Sequence, residues 1–226
     1  MKKFVSILFY VFLTSISHAH MAHYKDFKKI EMEIFRNGKL IGYSNYFFSR
    51  KGDETIVTNQ TKFSVKVLGA IIFEVEGHSE EKYLKDQLIF FNSKTLQNKK
   101  EKFVNLKFDK NEKKFVVNGS SYIGDASLEN IIGNWWNHKI LQSNTQISPV
   151  SGSIKKQIVT FIGKEKIDQY NRIYFVDHFT LKSKDMSLPK DKRLDFNIWY
   201  DRKNSTIIKI SYSRMGNWEY RLKKVE

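Results

Sequence analysis

The sequence predicts a mainly β protein: one large, strongly curved antiparallel sheet, a barrel or half-barrel. Three observations carry this. Past Tyr24, apolar residues recur in short runs with period two, the spacing that puts side chains on one face of a strand. Turn-forming segments separate these runs, and connections this short force neighbouring strands to pair antiparallel. Aromatic residues make up 15% of the chain, enough to cover one apolar face that a large sheet must hide by curling or by splitting into a sandwich.

In "KKIEMEIFRNGKLIGYSNYFF", Ile30, Met32 and Ile34 share a face of the first strand. Asn37-Gly38 signals a type I′ hairpin, because both residues tolerate positive φ. A return strand runs from Lys39 to about Arg50, and "RKGDE" makes the next turn. "TIVTNQTKFSVKV" alternates through Val57, Thr61, Phe63, Val65 and Val67. Leu68-Gly69-Ala70 predicts a bulge or bend before "IIFEVEGHSEEKYL", since glycine inside a strand pattern marks such irregularities. "QLIFFNS", "KFVNLKF" and "KKFVVNG" follow, with "DKNE" as a turn. After an interruption come "KKQIVTFIG", "RIYFVDHFTLKS", "LDFNIWYD", "TIIKISYS" and "WEYRLKKV". The pattern gives about 11–12 strands in a single domain spanning residues 20–226.

The interruption is a helix-plus-loop insertion near 125–152. "DASLENIIGNWWN" predicts one short helix, capped by Asp125 or Ser127, with Leu128, Ile131, Ile132 and Trp135 on one face. Laid against the sheet it forms a plug, its tryptophans each burying on the order of 150–250 Å². "SNTQISPVSG" is polar and carries Pro149 and Gly152, so it predicts a surface loop.

Residues 1–19 have the form of a cleavable signal peptide. Lys2 and Lys3 precede the apolar run Phe4 to Ile16, and Ser17-His18-Ala19 supplies small residues for cleavage after Ala19. The run is short of the roughly 20 residues that span a bilayer. With no cysteine in the chain, a lipoprotein anchor, disulfides, thiol catalysis and thiolate metal sites are excluded. The expected location is the periplasm.

The formal net charge is +15. Such a balance fits nucleic acid, anionic lipid or acidic polysaccharide. Lysine far outnumbers arginine, the residue favoured for bidentate phosphate recognition, and an exported chain does not meet nucleic acid. No nucleic-acid partner is therefore expected; an anionic membrane surface is one reading of the charge, and the Lys, Asn, Ile and Phe excess that AT-rich codon usage produces is the other. The G-x-S-x-G elbow, the H-E-x-x-H helix, the P-loop and the G-x-G-x-x-G turn are all absent.

Several stretches coincide in order: "FRNGKLIGY", "FSVKVLGAIIFEVEGHSEEKY", "NWWNHKILQSNTQ", "NIWYDRKNSTIIKISY" and "WEYRLKKV". Together they resemble the bacterial exported family named domain of unknown function 6134, from about Phe27 to Val225. Matching positions include Asn37-Gly38, His78, Glu81, Trp136-Asn137, Asn144-Thr145-Gln146 and Trp199-Tyr200-Asp201. Tyr83 departs from the family's tryptophan, and "LQNKKEK" lacks its Asn-Gly turn. The resemblance implies a curved antiparallel sheet and no established activity.

Polar residues inside strand patterns mark candidate chemistry. His78, His138 and the Asp177-His178 pair form a candidate cluster, since histidines with a carboxylate suit a metal or a general base with its orienting acid. The bland alternative is a satisfied polar pair at a sheet edge. Cleavage after Ala19 would expose His20, with His23 nearby, as a further metal candidate. No catalytic residue and no cofactor are assigned. Three functions fit: a carrier whose lumen takes a lipid or other apolar ligand on Phe63, Phe73, Trp135, Trp136, Asn137, Phe175 and Phe196; an envelope interaction protein with a filled core; and a metal protein or hydrolase using the histidines.

Overall fold

The computed structural model describes residues 20–226, with His20 described by its backbone alone. The predicted signal peptide lies outside the described residues. Fifteen strands form one sheet: β1 (Lys29–Arg36), β2 (Lys39–Lys51), β3 (Glu54–Val67), β4 (Ala70–Leu84), β5 (Gln87–Gln97), β6 (Lys100–Asp109), β7 (Lys114–Gly119), β8 (Tyr122–Ser127), β9 (Ile131–Ile132), β10 (Thr145–Ile147), β11 (Ile154–Gln169), β12 (Arg172–Ser183), β13 (Asp195–Asp201), β14 (Thr206–Ser213) and β15 (Asn217–Val225). Three short 3-10 turns complete the described chain: η1 (His20–Tyr24), η2 (His138–Leu141) and η3 (Lys190–Lys192).

The sheet order is β8-β7-β6-β5-β4-β3-β2-β1-β15-β14-β13-β12-β11-β10-β9. It is a meander joined through its ends, because β1 pairs antiparallel with β15. All other neighbours are antiparallel except β9 and β10, so the sheet is mixed. Its edges β8 and β9 do not pair, and the curl stays open. The β10–β11 loop bridges the gap, with the Ser151 carbonyl accepting from Ser121 N at 2.9 Å.

The expected helix over 125–137 does not form. β8 continues to Ser127, and Ile131-Ile132 pair parallel with Gln146-Ile147. Strand pairing satisfies backbone groups that an isolated two-turn helix leaves open. Gly133 allows the approach: a Cβ there would lie 1.9 Å from Gln146 Oε1. The expected count of 11–12 strands is likewise low, because the short β8–β10 pieces carry too few residues to show a period. The bend expected at Leu68-Gly69-Ala70 is a hairpin turn, with φ of 48° and 83° at its first two residues. Asn98-Lys99, with φ of 49° and 64°, makes the same kind of turn without glycine.

Turn positions divide the curled sheet into two ends. One end carries the β2–β3, β4–β5 and β13–β14 turns and is strapped by the η1 segment. Arg50 donates to the carbonyls of Phe27 (2.7 Å) and Tyr24, and Asp86 Oδ1 accepts from Met21 N at 2.7 Å. The other end carries the β1–β2, β3–β4, β5–β6 and β14–β15 tips. Interior side chains of nearly every strand merge into one core, including Met32, Val57, Phe91, Leu106, Leu181, Ile198 and Ile210. A smaller cluster of Ile34, Phe63, Val65 and Trp218 lies apart from it.

Candidate functional site

Strand register stacks the inward side chains of β2–β5 into cross-strand rows. Gly42, Phe63, Val75 and Gln97 form the outermost row; Ser44, Thr61, Gly77 and Thr95 the next; then Tyr46, Asn59, Ser79 and Ser93; then Phe48, Val57, Glu81 and Phe91. The last row is large and apolar but for Glu81, and the interior there is packed. The two middle rows consist mainly of small or polar side chains, too short to fill a curled sheet. A cavity of about 740 Å³ results, lined also by Phe73, Trp135, Tyr212 and Trp218. Its charged lining residues Arg36, Asp191 and Arg214 belong to the end that carries the tips. A second space of about 480 Å³, lined by Phe196 and Leu194, shares Trp135, Tyr212, Arg214 and Tyr220 with it.

The segment from Gly133 to Gly152 separates cavity from packed core. The two adjacent tryptophans have different surroundings. Trp136 is 1% exposed and packs edge-on against Tyr24, Phe48 and Tyr83. Trp135 lines the cavity against Phe196 and Tyr220, ring centroids 5.1 and 6.4 Å away.

Glu81 anchors this segment. Its buried carboxylate accepts from Asn134 Nδ2 (2.5 Å), Trp136 Nε1 (2.8 Å) and Tyr83 Oη (2.6 Å). Burial pushes the carboxyl up from its ordinary range, against the pull of these three donors. Tyr46 Oη accepts from Trp135 N at 3.3 Å, and Ser93 Oγ donates to the Pro149 carbonyl at 2.5 Å. Gln157 donates to the carbonyls of Ile140 and Ser143 and accepts from Gln146 Nε2 at 2.6 Å. Asn137, also buried, caps η2 by accepting from Lys139 N at 3.0 Å.

Four of the predicted ligand-facing residues line these spaces: Phe63, Phe73 and Trp135 the cavity, Phe196 the adjoining one. Trp136 and Asn137 belong to the packed core instead. Phe175 is 77% exposed, so its expected lumenal position is corrected. A bulge shifts the β11–β12 register between Phe161 and Gly163, and β12 before Asp177 pairs with β11 alone. This hairpin reaches to β1, where Tyr170 Oη donates to Glu33 Oε2 at 2.5 Å.

The expected His78, His138 and Asp177-His178 cluster does not assemble. His78 is exposed, its Nδ1 3.2 Å from the Asn59 carbonyl. Asp177 is buried and takes Nε and Nη2 of Arg202 at 3.0 and 2.6 Å. His178 stacks on Trp199 and bonds Glu165 and Asn197. His138 sits at the strapped end: Tyr24 Oη is hydrogen-bonded to its Nδ1 (2.6 Å) and accepts from its backbone N (3.0 Å). Burial, with His23 and Lys139 nearby, lowers its pKa to about 4. Of the N-terminal pair, His23 lies edge-on to His138 with Nδ1 3.3 Å from Ser205 Oγ, and the His20 side chain lies outside the described residues. Among the described residues no group of three or more His, Cys, Asp or Glu is placed to hold a metal ion.

An open curled sheet, packed at one end and hollow at the other, defines a β-barrel-like protein with a small-molecule-sized lumen. The chain belongs to the family described as Domain of unknown function (DUF6134), which matches residues 32–223. It is also similar to a solved structure, the beta-barrel-like protein of domain of unknown function DUF1849 from Brucella abortus. The TM-score is 0.57 at 12% identity, over 88% of this chain and 95% of that one. At that identity the likeness speaks for the fold alone. None of the curated proteins matches this chain.

Proposed function

We propose that this protein is an exported, non-enzymatic carrier that holds one apolar or amphipathic molecule in its lumen, acting in the periplasm. The observation that carries this is the cavity of about 740 Å³, within the roughly 300–1,000 Å³ of small-molecule sites. Aromatic rings of Phe63, Phe73, Trp135 and Trp218 supply apolar contact, and Ser44, Asn59, Thr61 and Thr95 supply uncharged hydrogen-bonding groups. That lining suits a lipid-like chain bearing hydroxyl, ester or amide groups. The rival reading, an envelope interaction protein, draws on the outward Phe161 and Phe175.

Native mass spectrometry of residues 20–226 purified from a bacterial periplasm, followed by denaturing extraction, tests the proposal. The expected result is one apolar molecule per chain. Gly77→Leu sharpens the test, because the atoms nearest a Cβ at Gly77 are those of the Thr95 side chain and the Lys94 carbonyl, none closer than 3.4 Å. The added side chain points into the lumen and should displace the ligand while the melting temperature stays within a few degrees, as for surface-like changes below about 0.5 kcal/mol. A wild-type protein that carries nothing, and takes up no uncharged apolar dye, would exclude the carrier.

A further inference from the structure

We propose that the open end of the lumen docks on an anionic lipid bilayer, with the β3–β4 and β14–β15 hairpin tips entering the headgroup layer. This rests on the carrier reading for its purpose but not for its observations. Leu68 and Met215, at the two tips, are 102% and 85% exposed. Both adopt the left-handed conformation, with φ of 48° and 50°, where asparagine or glycine is favoured and a large apolar residue is not. Neither backbone preference nor solvation in water explains these two side chains. Insertion into an apolar boundary does.

Leu40, Ile71, Ile72 and Met186 add further exposed apolar surface around the same end. Exposed cations are interleaved with them: Lys39, Lys66, Lys99, Lys100, Lys192 and Arg214. Hydrogen bonds tie the tips into one rim. Asn217 N donates to Asn37 Oδ1 (2.8 Å), Glu74 N to Asn98 Oδ1 (2.8 Å) and Arg214 Nη2 to the Arg193 carbonyl (3.0 Å). Apolar tips flanked by lysine match a bilayer with acidic headgroups, where the side chains insert and the ammonium groups meet phosphates. Such docking sets the cavity mouth against the membrane, so an apolar ligand passes without crossing water. The chain's excess of basic side chains then has a partner.

Sedimentation of residues 20–226 with vesicles tests this. Vesicles of phosphatidylcholine mixed with phosphatidylglycerol should retain the protein; phosphatidylcholine alone should not, and salt should release it. Leu68→Asn with Met215→Asn suits the turn geometry, so melting temperature should hold or rise while vesicle affinity falls by about tenfold or more. Leu68→Asn alone, at the tip residue that does not line the cavity, should weaken vesicle binding while leaving uptake of an uncharged apolar dye unchanged. Gly77→Leu should do the reverse, losing the dye and keeping the vesicles. Equal binding to neutral vesicles, or binding untouched by the tip substitutions, would overturn the docking proposal and leave the carrier reading standing. Vesicle binding without dye uptake by the wild type would reject the carrier alone.

Discussion

Glu81 shows how one side chain sets the boundary between hollow and packed interior. Three donors converge on its buried carboxylate, and removing the acceptor leaves each without a partner. At about 1–3 kcal/mol per buried unsatisfied group, Glu81→Ala should destabilise the fold by about 3–5 kcal/mol, read as the urea midpoint. A loss below about 1 kcal/mol would mean water replaces the carboxylate. His138 gives a pH prediction with a definite sign. Its folded pKa of about 4 lies below its ordinary 6.5, so folding favours the neutral ring. The contribution is complete above the ordinary value and is lost as pH falls from there towards about 4. The loss is on the order of 2 kcal/mol. His138→Gln should flatten that part of the stability–pH curve, with His23, Lys139, Tyr24 and Tyr200 as the neighbouring titratable groups. An unchanged slope would assign the pH dependence elsewhere.

At the scale of elements, turn chemistry and side-chain size do the positioning. Asn37-Gly38 is a hairpin legible from residue type alone, while Asn98-Lys99 and Leu68-Gly69 put lysine and leucine where φ is positive. Lys99→Gly relieves that conformation and should stabilise the protein by about 0.5–1 kcal/mol, seen as a rise in melting temperature. The Gly133–Gly152 segment behaves differently from its sequence pattern. Apolar residues do recur at helical spacing over 125–137, yet Gln157, Glu81 and Tyr46 hold the segment as short strands and a 3-10 turn. Those partners lie on distant stretches of chain, so no local period could announce them. Glu81, Trp136, Asn137 and Gln146 are among the fastenings of this segment.

At the scale of the molecule, the lumen follows from register. Ser44, Thr61, Gly77 and Thr95 stand in one row across four strands, and no side chain among them is long enough to reach across the curl. Thr61 was visible as an inward position in the alternation of β3. The alignment of Ser44, Thr61, Gly77 and Thr95 into a belt was not, because it depends on the bulges between Val65 and Lys66 and between Lys82 and Tyr83. If the belt holds the lumen open, filling it through Gly77→Leu is the change that separates ligand capacity from stability.

By itself the sequence determined the fold class, the antiparallel meander, the family, and the inward faces of β1 and β3, because period-two patterning and turn residues are local physics. It also marked Trp135, Phe63 and Phe73 as apolar residues in search of a lumen. Only the tertiary structure decided that β1 pairs with β15, that Trp135 and Trp136 have separate surroundings, that Phe175 stands outside, and that the histidines stay apart. Each depends on which distant strands become neighbours and on bulges that reverse a side chain's face. One register shift is enough to move a residue from core to solvent.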